Sequence, residues 1–276
     1  MADRRSYLIH PLAVVAAEAD LAPDVEVGPL AVIEGHVKIG ARCKIHARAH
    51  LIGPLRLGVN NQIFPGAVIG AAPQHLHFKG EETSVEIGAN NIIRENVTIH
   101  RGTTSRWTTK IGDQNFFMAC SHVGHDCIVG DRCILTNNAL LAGHVEMGDG
   151  AIISANSGVH QFCRIGRLAF LSGISAATKD IPPFIIQQNF NTVVGINLVG
   201  MRRAGMKTEE ITALRELYHI VYLQGNTVPV ALAQVERKLG QFAAVREYVE
   251  FVRASKRGIA GVHGPARYNQ ELKEAA

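Results

Sequence analysis

The residues best suited to chemistry in this sequence are its histidines, of which there are 13 in 276 residues. His122 and His125 lie three residues apart. His144 follows His125 after 19 residues, and His160 follows His144 after 16. An imidazole with a pKa near 6.5 exchanges protons near neutral pH, which suits general acid–base catalysis. Asp126, directly after His125, is a candidate partner that would hold this ring in one tautomer.

A period of six residues runs through two thirds of the chain and must position these histidines. Aliphatic residues recur at every sixth position through residues 9–69, 87–99 and 111–177, with Phe117 and Ala177 as exceptions. The next residue is often glycine, and the fifth residue of each repeat is usually Ala, Ser or Cys. Amphipathic helices do not produce such a period, whereas repeats of fixed length mark a solenoid. The sequence therefore predicts a parallel β-helix.

Three repeats form one coil of 18 residues, so the aliphatic side chains should fill a triangular prism whose coils stack about 4.8 Å apart. Glycine would tolerate the corner, where a Cβ would clash or φ would be unfavourable. Residues 71–86 and 105–110 lack the pattern but keep its phase, which predicts two loops leaving a corner of the prism. Because the histidines avoid both inward positions, stacking should place several imidazoles along one outer edge.

The repeat ends at Ile181-Pro182-Pro183, and helical periodicity follows a polar connector. A first helix is predicted from Thr208 to Gly225, and two more over residues 228–239 and 243–256. We therefore divide the chain into a β-helix domain, 1–186, and a helical domain, 187–276.

The formal net charge of +4 lies entirely in the second domain, which has 12 Lys+Arg and 8 Asp+Glu. Such a surface could meet an acidic partner, or it could be an ordinary solvated helical surface. No apolar run approaches the roughly 20 residues of a membrane span. We expect a cytoplasmic protein with no integral membrane segment and no nucleic-acid partner.

Metal binding is the main alternative use of the cysteines and histidines. Four of the five cysteines fall at the small, inward position of the repeat, and no CxxC pair occurs. Some left-handed β-helices bind zinc through three histidines and hydrate carbon dioxide, but the spacing here lacks the five-residue pair typical of that family. We expect no metal ion and no cofactor. A scaffold that kept the prism without chemistry remains a further alternative.

Several motifs resemble the UDP-N-acetylglucosamine acyltransferases of lipid A biosynthesis, and the resemblance extends over essentially the whole chain. The matching stretches are Ile99-His100-Arg101-Gly102-Thr103, His122-Val123-Gly124-His125-Asp126-Cys127, Asn137-Asn138-Ala139-Leu140-Leu141-Ala142-Gly143-His144-Val145, Val159-His160-Gln161-Phe162-Cys163, Asp180-Ile181-Pro182-Pro183-Phe184 and Asn197 through Arg203.

The resemblance implies left-handed coils and a homotrimer with active sites between adjacent prisms. It also implies transfer of an (R)-3-hydroxyacyl group from acyl carrier protein to the 3-position of UDP-N-acetylglucosamine. His125 matches the family's general base and Asp126 its orienting partner. The Gly143 N–H would stabilise the developing oxyanion. The basic helical domain would meet the acidic acyl carrier protein.

Further positions match residues that bind the substrates in the family. The residues expected to line the pocket or hold the nucleotide are Gln74, His75, His77, His100, His122, His144, His160, Gln161, Asn197 and Arg203. Gly173 matches a position where some relatives carry a larger side chain that shortens the acyl groove. Glycine there predicts a long acyl chain such as 3-hydroxymyristoyl.

One departure from the family pattern concerns the acceptor. Relatives usually read Gln-Asp-Leu-Lys where this chain has Gln74-His75-Leu76-His77. A different UDP-sugar, for example one with a 3-amine, is therefore an alternative acceptor. Another alternative is a hexapeptide acetyltransferase that uses coenzyme A, although that class usually lacks the helical end.

Overall fold

A computed structural model describes residues 8–262 and shows a prism of three parallel β-sheets followed by four helices. The predicted left-handed β-helix is confirmed. The outer ends of both expected domains, residues 1–7 and 263–276, lie outside the described residues. The strands, in chain order, are β1 Val14–Val15, β2 Asp20–Leu21, β3 Glu26–Val27, β4 Val32–Glu34, β5 Val37–Ile39, β6 Lys44–Ile45, β7 His50–Ile52, β8 Leu55–Leu57, β9 Gln62–Ile63, β10 Val68–Ala71, β11 Ser84–Ile87, β12 Ile92–Ile93, β13 Thr98–His100, β14 Thr108–Ile111, β15 Phe116–Phe117, β16 His122–Val123, β17 Ile128–Val129, β18 Ile134–Leu135, β19 Leu140–Leu141, β20 Glu146–Met147, β21 Ile152–Ile153, β22 Gly158–Val159, β23 Arg164–Ile165, β24 Phe170–Leu171, β25 Ala176–Ala177, β26 Ile185–Gln188 and β27 Thr192–Ile196.

Every third strand joins the same sheet, so each coil contributes one strand to each face of the prism. The first sheet runs from β1 to β25, the second from β2 to β23, and the third from β3 through β24 to β26 and β27. Strand partners are usually 18 residues apart, as for Val14 and Val32. The aliphatic residue of each repeat points inward and is almost fully buried, as at Ile33 and Leu51.

Glycine follows the aliphatic residue because adjacent coils lie very close there. A Cβ added at Gly40 would lie 2.8 Å from the carbonyl carbon of Gly58 on the next coil. A positive φ is not the general reason, since the left-handed residue is usually the fourth of the repeat, as at Leu30 and Arg42. The conformational part of the glycine prediction is therefore wrong for most repeats, and the close-approach part is confirmed.

Asparagine replaces the small fifth residue in three successive coils of the third sheet. The Asn61 side-chain carbonyl accepts hydrogen bonds from the Asn91 backbone N–H (2.8 Å) and side-chain amide (2.9 Å). Asn91 accepts one from the Asn115 N–H, and Asn115 accepts one from the Cys133 N–H. This buried ladder pairs polar groups that the prism encloses, except the Asn115 side-chain amide nitrogen, which has no hydrogen-bond partner among the described residues.

Two loops interrupt the coils between the first and second sheets. Residues 72–83 connect β10 to β11, and residues 101–107 connect β13 to β14. Strand partners are 30 residues apart across the first insertion (Val68 and Thr98) and 24 across the second (Thr98 and His122). Both loops therefore add a multiple of six and preserve the register. Residues 71, 84–86 and 108–110, which we had expected in the loops, belong to strands, and the second loop begins at residue 101 and not at 105.

The helical region packs on the C-terminal end of the prism. Its helices are α1 Leu198–Arg203, α2 Thr208–Tyr218, α3 Val228–Leu239 and α4 Ala243–Arg253, with a π-helical segment at His219–Leu223 continuing α2. Tyr222 and Tyr248 share a buried hydrogen bond of 2.9 Å between their hydroxyls. The three predicted helices are present, although the last ends three residues earlier than expected.

The sequence pattern did not predict two elements that lie in the expected polar connector. The strand β27 pairs antiparallel with β26 and extends the third sheet beyond the expected boundary at residue 186. The short helix α1 is capped by the Asn197 side chain, which accepts a hydrogen bond from the Gly200 N–H. Among the described residues, no helix is both long and apolar enough to cross a membrane.

We predict that Gly40→Ala lowers the free energy of unfolding by about 1–3 kcal/mol, because its Cβ would collide with the backbone of the next coil. The control is Gly195→Ala, where a Cβ meets nothing within 4 Å. It should shift stability by no more than about 0.5 kcal/mol. Urea unfolding followed by circular dichroism measures both. Equal stability of the two variants would contradict close coil packing as the reason for glycine.

Candidate active site

One corner of the prism collects the two loops and most of the candidate residues. It lies between the first and second sheets, and in successive coils it consists of loop 72–83, loop 101–107 and residues 124–127, 142–145 and 160–163. We call it the first corner. The prediction that stacking places several imidazoles along one outer edge is confirmed.

The pair at the centre of this corner is His125 and Asp126. His125 Nδ1 lies 2.7 Å from Asp126 Oδ2. Consecutive strand residues would point apart, but Asp126 has the left-handed φ of 61° and turns its side chain back toward the ring. The corner geometry therefore lets two residues that are adjacent in sequence form a hydrogen-bonded pair.

The Asp126 carboxylate is completely buried and held by loop 101–107. Thr103 donates its backbone N–H to Oδ1 (2.9 Å) and its hydroxyl to Oδ2 (2.8 Å). The Thr109 hydroxyl accepts a hydrogen bond from the Asp126 backbone N–H. Burial by itself would raise the pKa of the Asp126 carboxyl, but the hydrogen bonds from His125 and Thr103 outweigh it and lower this pKa. The group is therefore an anion that orients the His125 ring.

Gly143 lies directly beneath the His125 ring. A Cβ added at Gly143 would be 2.6 Å from His125 Cε1 and 2.7 Å from Nε2, so any side chain would displace the imidazole. Among the described residues 8–262, the Gly143 N–H donates no assigned backbone or side-chain hydrogen bond. This N–H is therefore available beside His125 Nε2.

His144 approaches the same carboxylate from the next coil. Asp126 and His144 are both fourth residues of their repeats and both have left-handed φ angles, 61° and 63°. They therefore occupy equivalent corner positions one coil apart, and His144 Nε2 lies 3.4 Å from Asp126 Oδ2. The His144 ring also stacks on Phe162, which holds the third equivalent position. Burial lowers the pKa of His144.

His100 and His122 form a second imidazole pair beside the first. Their ring centroids are 5.3 Å apart. His100 Nδ1 donates to the Ala72 carbonyl at 2.6 Å and so ties loop 72–83 to the prism. Burial, together with the nearby charges of His100 and His125, lowers the pKa of His122 to about 4. Burial also lowers the pKa of His100.

Loop 72–83 brings the His75 ring against the ring of His125. The His75 and His125 ring centroids are 5.3 Å apart, and those of His75 and His77 are 5.6 Å apart. His75 Nδ1 accepts a hydrogen bond from the His77 N–H (3.3 Å), which leaves Nε2 to carry the proton of the neutral ring. His75, one of the two histidines that depart from the family pattern, therefore presents its Nε2–H as a hydrogen-bond donor near His125.

A cavity of about 560 Å³ opens along the first corner. Its polar end includes Gln74, His125, His160 and Gln161, together with the His100 and His122 pair. Its apolar part follows the first sheet, where Leu140, Gly158 and Ala176 lie opposite one another on consecutive strands after His122. From Leu140 to Ala176 this column spans two coil steps, roughly 10 Å at about 4.8 Å per coil.

His75, His77 and His144 line a second cavity of about 350 Å³ at the same corner. Three other expected site residues, Asn197, Arg203 and Gly173, lie away from the first corner. Asn197 is buried, where it caps α1 and donates its amide to the Leu168 carbonyl. Arg203 is exposed at the end of α1, and Gly173 is exposed at a turn of the prism. None of the three lines the cavity of its own chain.

Sequence reasoning missed the residues that support the pair. Thr103 and Thr109 hold Asp126, and the Thr98 hydroxyl lies 2.8 Å from His122 Nδ1. Thr103 stands within a motif that resembled the family, but its role follows only from the loop's return to the corner. The residues that could hold a metal ion are His125, Asp126 and His144, whose candidate ligand atoms all lie within 4.8 Å of one another.

The prism of six-residue repeats with polar residues at one corner is the architecture of a hexapeptide transferase. A family model described as bacterial transferase hexapeptide (six repeats) matches residues 108–143. A second one, described as Udp N-acetylglucosamine O-acyltransferase, domain 2, matches residues 180–260.

Curated relatives match nearly the whole chain. The acyl-(acyl-carrier-protein)–UDP-N-acetylglucosamine O-acyltransferase of Stutzerimonas stutzeri is 43% identical over 91% of this chain and 98% of its own. That of Thiobacillus denitrificans is 44% identical over the same shares. The solved structure of LpxA from Acinetobacter baumannii has a TM-score of 0.89 at 41% identity, covering 92% of this chain and 99% of its own. The UDP-N-acetylglucosamine acyltransferase of Bacteroides fragilis has a TM-score of 0.89 at 44% identity, covering 91% and 99%. The chain belongs to this family of acyltransferases, as the sequence motifs predicted.

The depressed pKa of His122 predicts an acid-dependent loss of stability. His122 titrates near 6.5 when unfolded and at about 4 when folded, so the unfolded chain binds the proton first. The contribution of neutral His122 to the free energy of unfolding, about 3 kcal/mol, is present above pH 6.5 and is lost as the pH falls toward 4. We expect His122→Gln to lose this part of the pH dependence, measured by urea unfolding between pH 7.5 and 4.5. Parallel pH profiles of parent and variant would contradict it.

Proposed function

We propose that this protein transfers an (R)-3-hydroxyacyl group from acyl carrier protein to the 3-position of UDP-N-acetylglucosamine, the first step of lipid A biosynthesis. The observation that carries the proposal is the His125–Asp126 pair beside a cavity with a polar and an apolar end. The polar end suits a sugar nucleotide, and the apolar column suits an acyl chain. The cytoplasmic location expected from the sequence stays part of this proposal.

His125 acts as the general base. Its Nδ1–H is held by the Asp126 carboxylate, so the lone pair of Nε2 takes the proton of the acceptor 3-hydroxyl as that oxygen attacks the thioester carbon. The Gly143 N–H stabilises the oxyanion of the tetrahedral intermediate. When the intermediate collapses, the carbon–sulfur bond breaks and the His125 imidazolium returns its proton to the departing thiolate. Asp126 stabilises the imidazolium while it exists.

The neighbouring imidazoles fit substrate binding better than proton transfer. The lowered pKa values of His100, His122 and His144 keep these rings neutral at neutral pH. Neutral rings supply hydrogen bonds without repelling the His125 imidazolium. His160 and Gln161 are exposed on the next coil and complete the polar end.

The homotrimer is also part of the proposal. Asn197 and Arg203 match nucleotide-binding positions of the family but lie away from the cavity of their own chain. A neighbouring protomer would have to supply such contacts. Asn197 caps α1 in its own chain. It would contact the nucleotide of the neighbouring protomer either directly, while still capping α1, or by positioning the loop next to it. An Arg203 guanidinium would suit a phosphate. The positive helical domain would attract acidic acyl carrier protein, with an association rate that falls as salt rises.

The test is acyl transfer from 3-hydroxymyristoyl-acyl carrier protein, with parent and His125→Ala compared. We expect turnover by the parent and a loss of about 10²–10⁴-fold in kcat for the variant, because the base is removed. His36→Gln is the matched control, since His36 is an exposed histidine that lines neither cavity and stands four coils before His125. Equal activity of parent and His125→Ala would refute the mechanism.

The same assay distinguishes the acceptors. UDP-N-acetylglucosamine and its 3-amino analogue are compared, because His75 and His77 replace the Asp and Lys usual in the family. If only the 3-amino analogue is turned over, the acceptor in the proposal is replaced by an amino sugar, whereas His125 remains the proposed base. Transfer from acetyl-coenzyme A, with none from acyl carrier protein, would favour the acetyltransferase alternative.

The apolar column predicts where acyl length is selected. A Cβ at Gly158 meets nothing within 4 Å, so Gly158→Leu should fold normally and project into the cavity. We expect kcat/KM for 3-hydroxymyristoyl donor to fall at least about tenfold, with less effect on 3-hydroxydecanoyl donor. Gly173→Met tests the position suggested by the family resemblance. An unchanged chain-length preference in Gly158→Leu would show that the acyl chain lies elsewhere.

A further inference from the structure

Asp126 Oδ2 is the point on which two imidazole nitrogens converge. His125 Nδ1 lies 2.7 Å from it and His144 Nε2 lies 3.4 Å from it. All three groups belong to rigid coils, since His125 and Asp126 share one corner and His144 holds the equivalent corner of the next coil. Two nitrogens and one carboxylate oxygen are a common protein ligand set for a borderline divalent metal ion.

Two of the three ligand separations fit such an ion with a small adjustment, and the third, between the two histidine nitrogens, is no more than 4.8 Å. Ligands about 2.0–2.1 Å from a tetrahedral metal ion lie roughly 3.3 Å from one another. The separation of His144 Nε2 and Asp126 Oδ2, 3.4 Å, already meets this value. His125 Nδ1 and Asp126 Oδ2, at 2.7 Å, must separate by roughly half an ångström. The anionic carboxylate supplies the charge that a divalent cation requires.

Both histidine ligands border a cavity, whereas Asp126 is fully buried behind them. His125 lines the larger cavity, whereas His144 lines a second one of about 350 Å³ together with His75, His77 and Thr103. An ion can therefore enter from solvent, and its fourth position can hold water. The His75 ring lies against this opening, although the His77 N–H occupies its Nδ1.

We propose that His125, Asp126 and His144 form a binding site for a divalent transition-metal ion such as Zn²⁺, and that the bound ion inhibits acyl transfer. The inhibitory part rests on the proposed function, whereas the binding part does not. An ion on His125 Nδ1 takes the lone pair there, so the single proton of the neutral ring moves to Nε2. That nitrogen then cannot accept the proton of the sugar hydroxyl, and the base is blocked.

Metal binding is measured first, on the full untagged chain with no substrate present. Metal-free protein competes with a chromophoric chelator for ZnCl₂. We expect one Zn²⁺ per chain, and an affinity at least about tenfold weaker in His144→Gln because one ligand is lost. His50→Gln is the matched control. His50 forms an exposed pair with Glu34 (3.0 Å), which is a histidine and a carboxylate with no third ligand near them among the described residues.

The outcomes are distinct for binding and for inhibition. Absence of stoichiometric binding in the parent, or equal affinities in parent and His144→Gln, would overturn the site. If His144→Gln does not fold by circular dichroism, His125→Gln replaces it with the same expectation. In the transfer assay, Zn²⁺ should inhibit the parent, a chelator should restore its rate, and His50→Gln should behave like the parent. Binding without inhibition would overturn the inhibitory role, and an inactive parent that still binds Zn²⁺ would count against the proposed function alone.

Discussion

The structure depends on the close stacking of one coil on the next. Each coil must lie near enough for backbone N–H groups to reach the carbonyls of its neighbour, as Gly40 N does with Leu57 O at 2.9 Å. Glycine after the inward aliphatic residue allows that approach, because a Cβ there would meet backbone atoms. Every backbone group committed to this ladder is satisfied inside the protein. The ladder is what makes each corner a fixed scaffold.

Stacking converts a pattern along the chain into columns across it. At the first corner, the fourth residues of equivalent repeats in three successive coils, Asp126, His144 and Phe162, form such a column with left-handed φ angles. Non-glycine residues seldom adopt this conformation without support, and here the coil imposes it. The same turn lets Asp126 reach the ring of its own neighbour, His125, at 2.7 Å. A solenoid corner can therefore build a histidine–carboxylate pair from two adjacent residues.

Burial and hydrogen bonding then give each group its chemical character. The Asp126 carboxylate stays ionised because His125 and Thr103 donate to it, even though burial opposes its charge. His122 stays neutral because burial and two nearby imidazoles oppose its protonation. The surroundings of Asp126 and His122 thus decide that the first is charged and the second neutral. The convergence on Asp126 Oδ2 that would orient a general base is also the geometry that would attract a metal ion.

The prism can be predicted from the sequence, because a period of six fixes which residues point inward and how coils align. The sequence also predicts that loops adding multiples of six leave the register intact, and it places the histidines on one edge. The folded chain was needed to show that Asp126 faces His125, that Thr103 returns from its loop to bind Asp126, and that Gly143 underlies the ring. It also revealed β27 and α1, whose formation depends on pairing with β26 and capping by Asn197. These features rest on contacts between residues distant in sequence or on a backbone turn, which periodicity does not encode.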